Sequence, residues 1–274
     1  MSVTKQEYTK YSDKIWDKRF NSPYLIRRYI HRTQYFSMLK YINSNENVLD
    51  IGCGEGVFSC LMAQKGIKVI ACDISIPNIE NAKNMAKNLG VDDKIQFLIA
   101  DAENLPFKDN SFNMVISSHV LEHLPDFFKG LNEIKRITRD KALIAVPTCL
   151  SPSSMVILGG DNPWKISKKT PFAIFKGLYL IIRNLFNEGV YEKYGGKDDF
   201  PHLWFYPWEL KKRLKQTGFK ILKIEAASLC LPYISYLIPQ TIILMKVMDK
   251  IKDNFPFNLL WYGTFVLVEN QINN

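Results

Sequence analysis

Short apolar runs alternate with longer amphipathic segments between residues 47 and 148. The apolar runs, each typical of a buried strand, are 47–52, 68–75, 94–101, 112–118 and 141–148. The segments with apolar residues at helical spacing are 56–66, 76–90 and 127–138. Strands without polar alternation that are joined by helices predict a parallel sheet covered on both faces. We therefore predict a doubly wound α/β fold whose ligands bind at the carboxyl ends of the strands.

Two further apolar segments follow this pattern. The first, PFAIFKGLYLIIRNLF (171–186), has the length of a helix and carries Lys176 and Arg183. The second, AASLCLPYISYLIPQTIILM (226–245), contains no charged residue and is long enough to span a bilayer.

Two prolines, Pro232 and Pro239, interrupt the second segment and argue against a span. We predict that it forms a cap or an element lying on a membrane surface, anchored by Lys246, Lys250 and Lys252. Packing against the N-terminal helices or a second subunit is the alternative.

The N-terminal region predicts a helical lid over residues 1–45. Ser22 and Pro23 indicate the N-cap and first residue of a helix. Its apolar face would comprise Leu25, Ile26, Tyr29, Ile30 and Phe36, and a similar spacing precedes it at Tyr8, Tyr11, Ile15 and Trp16.

The net charge of +9 lies in the flanks of the chain. Residues 1–45 hold 9 Lys and Arg against 3 Asp and Glu, residues 46–150 hold 11 against 14, and residues 151–274 hold 16 against 10. Basic flanks suit nucleic acid, an anionic lipid surface, an acidic substrate or plain solvation. The five cysteines include no C-x-x-C pair and are odd in number, which disfavours a disulfide framework. The polar N-terminus lacks the apolar region of a signal peptide, so we predict a cytoplasmic protein, either free or peripheral at a membrane.

A glycine-rich loop follows the first predicted strand. In VLDIGCGEGVFS (48–59), Gly52, Gly54 and Gly56 allow a ligand close to the backbone and to the free N–H groups of the next helix. A dinucleotide-binding loop has the spacing G-x-G-x-x-G, and Val57 stands at its third glycine. The spacing therefore argues against NAD.

The stretch LDIGCGEG resembles the first motif of the class I S-adenosylmethionine-dependent methyltransferases, an acidic residue followed by G-x-G-x-G. Asp73 and Asp101 end the next two predicted strands. FNMVISSHVLEHLPD (112–126) resembles the fourth strand and following loop of the subgroup related to ubiquinone and other small-molecule methyltransferases. YPWELKKRLKQTGFKILKIE (206–225) resembles that subgroup's last helix and sixth strand.

The resemblance implies a Rossmann-like sheet of about seven strands, the last antiparallel, with helical insertions. Its core would be 46–150, 206–227 and 262–270 within a methyltransferase domain at 46–274, and its cap insertions would be 151–205 and 228–261. It also implies S-adenosyl-L-methionine as cofactor, with Asp73 on the ribose hydroxyls and Asp101 at the adenine amino group. The implied cofactor-binding residues are Asp50, Gly52, Gly54, Asp73, Asp101, Ala102 and Ser118.

Each carboxylate also has a structural interpretation. Asp50 could cap the loop, but on a buried strand it needs a partner such as backbone N–H groups. Asp73 could be the N-cap of the next helix, and Asp101 could be a turn residue.

Histidines are the candidate catalytic residues. His119 and His123 lie after the fourth strand, near where an acceptor would be presented, and His202 precedes the last helix. An imidazole titrates near neutrality and can serve as a general base for an oxygen acceptor. His123 and His202 are the leading candidates for this base, whereas His119 and His123 can equally be structural hydrogen-bonding residues. We assign no metal site.

The substrate hypothesis follows from what the sequence adds to the core. SSHV (117–120) stands where an N-P-P-Y motif would be expected, which argues against amino methylation of DNA bases. The Pro-Cys pair typical of cytosine C5 methylation is also absent, because Thr148 separates Pro147 from Cys149. The leading hypothesis is a small hydrophobic acceptor of lipid, quinone or isoprenoid type, with an anionic membrane surface as a further partner and nucleic acid disfavoured. The alternatives are an RNA or soluble-metabolite methyltransferase, and a membrane-surface scaffold that keeps the fold without activity.

Overall fold

The main sheet confirms the predicted doubly wound architecture. The computed structural model describes residues 3–12, 14, 16–164, 167–193, 201–228, 241–251, 254 and 263–271. Among these residues the main sheet has seven strands in the order β3-β2-β1-β4-β5-β9-β8. They are Val48–Ile51 (β1), Val69–Asp73 (β2), Ile95–Ile99 (β3), Phe112–Ser118 (β4), Thr138–Ala145 (β5), Phe219–Glu225 (β8) and Phe265–Asn270 (β9). Strand β9 pairs antiparallel with both β5 and β8, and the other pairings are parallel.

The helices cover the sheet and extend beyond it. They are Val3–Thr9 (α1), Leu25–Leu39 (α2), Val57–Gln64 (α3), Ile76–Asn88 (α4), Phe127–Ile137 (α5), Pro152–Leu158 (α6), Thr170–Arg183 (α7), Pro207–Gln216 (α8) and Thr241–Met248 (α9). Short turns of other helix types occupy Trp16–Phe20, Asp92–Lys94 and Leu121–His123. Helix α4 is capped by Ser75 and helix α5 by Asp126, because each side chain accepts a backbone N–H of the first turn.

The core consists of two apolar clusters, one on each face of the sheet. One contains Met38 of α2, Phe58 of α3 and Ile79 of α4, and the other contains Leu131 of α5 and Leu210 of α8. All four residues of β1 are buried. The continuous apolar runs of the sequence thus reflect strands that are covered on both sides.

The fifth strand runs from 138 to 145, three residues earlier than predicted. It begins directly after α5, where the Thr138 hydroxyl donates to the Ile134 carbonyl, so no turn residue marks its start. The residues after it turn away from the sheet, because Phe205 N–H donates to the Pro147 carbonyl and Cys149 N–H to the Phe205 carbonyl.

Helix α2 begins two residues later than Ser22 and Pro23 predict. Tyr24 is the N-cap, and the Ser22 hydroxyl accepts the Tyr24 N–H outside the helix. Ile26 and Ile30 are buried as predicted, but Leu25 and Phe36 are about half exposed, so the predicted apolar face is wrong for these two. Polar side chains take their place on the buried face, His31, Gln34 and Ser37. Ile15 lies outside the described residues.

The segment predicted as the first cap insertion, 151–205, holds two helices and a hairpin. Helices α6 and α7 approach backbone to backbone, since a Cβ on Gly177 would lie 1.8 Å from the Met155 carbonyl oxygen. Gly189–Lys193 (β6) pairs antiparallel with Pro201–Phe205 (β7), a hairpin that the sequence pattern did not predict. The Tyr206 hydroxyl donates to the Ile181 carbonyl and joins α7 to the end of this hairpin.

The described part of the second apolar segment packs against the N-terminal region. Met245 of α9 is buried in one cluster with Ile26 and Ile30 of α2, and the Tyr29 hydroxyl donates to Asp249 at 2.5 Å. This contact agrees with the alternative of packing on the N-terminal helices, although Ile243 and Val247 are exposed. Pro232, Pro239 and Lys252 lie outside the described residues. No helix in the described ranges has the length and hydropathy to cross a bilayer.

Candidate active site

The glycine loop joins β1 to α3 at the carboxyl edge of the sheet. Gly52 has φ +64° and Gly54 has φ +55°, a conformation in which a side chain is strained. A Cβ on Gly52 would also lie 2.3 Å from Val120 Cγ2. Glycine at position 52 is therefore required by the backbone and by the loop after β4, independently of any ligand.

Asp50 and Asp73 lie on either side of this loop. The Asp50 carboxylate accepts the Ser59 hydroxyl at 2.6 Å, a side-chain partner and not the backbone N–H groups suggested by the sequence. The pKa of Asp50 is raised to about 7, mainly by burial. The Ser59 hydrogen bond lowers this pKa, and the nearby Asp73 charge raises it.

Asp73 fastens the loop to the end of β2. Its two oxygens accept the N–H groups of Gly54 and Ser75, each at 2.8 Å. The N-cap of α4 is Ser75, so the interpretation of Asp73 as that N-cap is wrong. Because each carboxylate oxygen accepts two hydrogen bonds, Asp73 can hold the loop and contact a ligand.

Asp101 lies in the turn after β3, as its structural interpretation predicted. It accepts the Glu103 N–H at 2.9 Å, and its carbonyl accepts the Asn104 N–H at 2.9 Å. Lys5 of α1 ion-pairs with both acidic side chains, with Nζ 2.5 Å from Asp101 Oδ2 and 2.5 Å from Glu103 Oε2. The N-terminal helix is thus fixed beside Asp101.

One cavity of about 140 Å³ is bordered by every residue predicted to bind the cofactor. Those residues are Asp50, Gly52, Gly54, Asp73, Asp101, Ala102 and Ser118. The N-terminal region contributes Lys5, Tyr8, Tyr11, Arg19 and Tyr35 to the wall, and the loop after β4 contributes His119 and His123. Ser118 Oγ is buried and has no hydrogen-bond partner within the described part of the chain, so a polar atom inside the cavity is available to a ligand.

The three candidate histidines meet around one buried carboxylate, Glu122. Its Oε1 lies 3.2 Å from His119 Nδ1, 4.0 Å from His123 Nε2 and 4.0 Å from His202 Nε2. Burial raises the pKa of Glu122, but the hydrogen bond from His119 and the charges that the three imidazoles carry when protonated lower it below its ordinary value. The rings of His123 and His202 stack with centroids 4.8 Å apart.

The proton on His119 is fixed by Gln34. Gln34 Nε2 lies 3.2 Å from the Gly263 carbonyl oxygen and 3.2 Å from His119 Nε2. A carbonyl oxygen only accepts, so the Gln34 nitrogen faces it and donates its second hydrogen to His119 Nε2. His119 therefore carries its proton on Nδ1 and donates it to Glu122.

These contacts separate the roles of the three histidines. His119 has both nitrogens engaged and a positive φ of 60°, which suits a positioning residue. His123 borders the cavity, whereas His202 is absent from the described cavity wall and contacts His123 instead.

A family model matches the central part of the chain. Residues 42–173 match the model described as a methyltransferase domain. This part of the chain is therefore similar to a methyltransferase domain.

Known proteins similar to this chain share its central part. A norajmaline N-methyltransferase from Rauvolfia serpentina is 35% identical over 114 residues, covering 40% of this chain and 39% of that protein. The ubiquinone/menaquinone biosynthesis C-methyltransferase UbiE of Rickettsia prowazekii (strain Madrid E) is 34% identical over 103 residues, covering 35% and 42%. The chain thus spans about two fifths of the length of these curated relatives.

A solved S-adenosylmethionine-dependent methyltransferase from Methanosarcina mazei has the same fold. It superposes with a TM-score of 0.58 and 17% identity, over 86% of this chain and 98% of that one.

Sequence reasoning missed three residues that organise the candidate site. Lys5 contacts Asp101, 96 positions away in the sequence, and Gln34 contacts His119, 85 positions away. Local sequence patterns do not predict contacts over such separations. Glu122 had a signal, because it stands between His119 and His123 in the motif quoted for the resemblance. It lies in the short turn Leu121–His123 that follows β4.

Proposed function

We propose that the protein transfers the methyl group of S-adenosylmethionine to a small hydrophobic acceptor. The observation that carries this proposal is that one cavity is bordered by Asp73 and Asp101 at the strand ends and by His119 and His123 after β4. Donor and acceptor groups would then meet in one cavity. The names of two similar proteins, acting on norajmaline and in ubiquinone/menaquinone biosynthesis, support a small organic acceptor.

The residues of the cavity suit an adenosyl donor. When bound, this donor supplies a methyl group on a positively charged sulfur, an activated leaving group. Asp73 would accept the ribose hydroxyls while still holding the Gly54 N–H. Asp101 would accept a hydrogen bond from the adenine amino group. The Ser118 hydroxyl would gain a hydrogen-bond partner when the donor binds.

His123 is the residue that would take a proton from an oxygen acceptor. Glu122 Oε1 lies 4.0 Å from its Nε2 and, when ionised, would stabilise the imidazolium that forms. The stacked His202 ring would hold the orientation of His123. For a carbon or nitrogen acceptor the main contribution would be alignment and exclusion of water.

Transfer of isotopic label tests this function. The protein is incubated with donor labelled in the methyl group and a lipid extract of its host, and label is expected in the organic phase. We expect His123→Gln to lower the rate with a hydroxyl acceptor by roughly 10²–10⁴-fold. Asp93→Asn, an exposed change in the turn before β3, is the matched control and should leave the rate unchanged.

The other outcomes reject the proposal at different levels. Label confined to RNA or to water-soluble metabolites would reject the hydrophobic acceptor and keep the methyl transfer. Calorimetry that finds no binding of the donor would reject methyl transfer altogether and favour a scaffold.

A further inference from the structure

Helix α7 presents an apolar stripe to solvent. Phe172 and Phe175 are each 71% exposed, Tyr179 is 59% exposed, Ile182 is 61% exposed and Phe186, in the turn after the helix, is 98% exposed. Their spacing of three and four residues places them on one side of the helix. Single exposed apolar residues are ordinary on protein surfaces, but a continuous row of this kind marks an interaction site.

The opposite side of α7 is fixed to the protein. Ala173, Gly177 and Ile181 are buried, and the close approach of Gly177 to the Met155 carbonyl holds α7 against α6. The Tyr206 hydroxyl donates to the Ile181 carbonyl. The stripe is therefore held outward by packing on the other face, and the helix cannot turn it inward without breaking these contacts.

The charged residues within the sequence that carries the stripe, from residue 162 to residue 187, have one sign. Lys168, Lys169, Lys176 and Arg183 are all exposed, and the sequence has no Asp or Glu from residue 162 to residue 187. A helix with an apolar face and flanking Lys and Arg residues is typical of elements that lie in the interface of an anionic bilayer. Two copies of this face would bring like charges together, which disfavours a symmetric dimer through α7.

We propose that α7 docks the protein on the surface of an anionic lipid bilayer, with the Phe172–Phe186 stripe in the acyl boundary and the four cations at the headgroups. This inference goes beyond the proposed function and stands without it. Ile181 shares an apolar cluster with Val190, Trp204 and Tyr206, so the docking helix packs against the same hairpin that carries His202. A docked bilayer would lie on the insertion that supplies the acceptor side of the site.

Vesicle flotation tests the docking. The full chain is mixed with phosphatidylcholine vesicles that contain or lack phosphatidylglycerol, and we expect it to float only with the anionic vesicles. We expect Phe172→Ser/Phe175→Ser and Lys176→Glu/Arg183→Glu each to weaken binding at least about tenfold.

Matched controls separate the stripe from general hydrophobicity and charge. Leu89→Ser removes an exposed leucine at the end of α4, and Lys65→Glu/Lys87→Glu makes the same change of net charge on α3 and α4 at exposed positions. Both controls should bind like the wild type. In a second readout, Tyr179→Trp should be quenched by brominated lipids and Leu89→Trp should not.

Three results would overturn the proposal. Equal flotation of the stripe variants and the wild type would remove α7 from the contact. Binding to neutral vesicles with an affinity that does not change with salt concentration would contradict the electrostatic contribution of the four cations. A dimer in light scattering that Phe172→Ser/Phe175→Ser dissolves would assign the stripe to a second copy of the chain.

Discussion

The central sheet and helix α7 use apolar residues in opposite ways. In β1 all four residues are buried, whereas α7 buries small residues such as Ala173 and Gly177 and exposes Phe172 and Phe175. The difference comes from what covers each face. The sheet has helices on both sides, while α7 has α6 on one side and solvent on the other. An apolar run thus predicts burial only where the fold supplies a second layer.

The two regions also differ in where their charges lie. The centre of the chain buries carboxylates such as Asp50 and Glu122 beside the cavity, while the charges around α7 are cationic and exposed. We therefore expect changes in the centre to alter stability and donor binding, and changes on the outer face of α7 to alter association alone.

The largest expected effect concerns Asp50. Its pKa is raised to about 7 from an ordinary value of 3.8, so the folded state binds the proton more tightly than the unfolded state. The resulting stability is present below about pH 4 and is lost as the pH rises through about 7, a total of about 4 kcal/mol. Relative to Asp50→Asn, the wild type should lose that amount of unfolding free energy across this window.

Urea unfolding at a series of pH values measures this difference. Asp93→Asn, at an exposed position, controls for the loss of one carboxylate. If the Asp50→Asn and wild-type curves run parallel in pH, Asp50 is not the buried acid that the structure describes.

The glycine loop should show the next largest effect. Gly52→Ala places a Cβ 2.3 Å from Val120 Cγ2 at a positive φ, and we expect a loss of about 3 kcal/mol from strain and steric overlap together. Gly66→Ala has φ +84° with no atom within 4 Å of the new Cβ, so it pays for strain alone, about 1 kcal/mol. Chemical denaturation of the two variants gives the comparison, and equal losses would contradict the close contact with Val120.

The agreement between the predicted and observed positions of residues in the centre has a physical basis. Strand β4 lies where the sequence predicted it, because a strand buried on both faces has a continuous apolar run bounded by turn residues. All seven predicted cofactor residues border one cavity, since the carboxyl ends of parallel strands meet at one edge. The local sequence was therefore sufficient to predict the strands of this region and the residues that line its cavity.

Elsewhere the decisive contacts are long-range. Strands β6 and β7 are short, and the seven residues 194–200 stand between them instead of a two-residue turn, so the spacing typical of a tight hairpin is absent. The hairpin brings His202 close to Glu122. The hydrogen bond from Gln34 of α2 fixes the tautomer of His119. The position of α6 likewise decides which apolar face of α7 is buried. The helical spacing of apolar residues in α7 does not specify that position.

A smaller effect is expected from the ion pair that joins α1 to the cavity. Lys5 Nζ lies 2.5 Å from Asp101 Oδ2. If Asp101 accepts the adenine amino group as proposed, Lys5 would compete with the donor for this carboxylate. A partly exposed pair of this kind contributes at most about 1 kcal/mol. We expect Lys5→Met to raise donor affinity up to about fivefold in calorimetry, with Lys10→Met as the exposed control on the same segment. A weaker affinity would mean that α1 closes over the donor and strengthens its binding.

The smallest effect is the one that most sharpens the contrast between the two regions. Phe175→Ser removes an exposed aromatic ring from α7, and a surface change of this kind alters the unfolding free energy by no more than about 0.5 kcal/mol. Ile181→Ala, on the buried face of the same helix at 4% exposure, should cost about 3 kcal/mol, because it removes packed methyl groups and leaves a cavity. Denaturant titrations of both variants compare the two faces within one element. A large loss in Phe175→Ser would show that the ring packs against the protein in solution, and the outward face of α7 would then need no external partner.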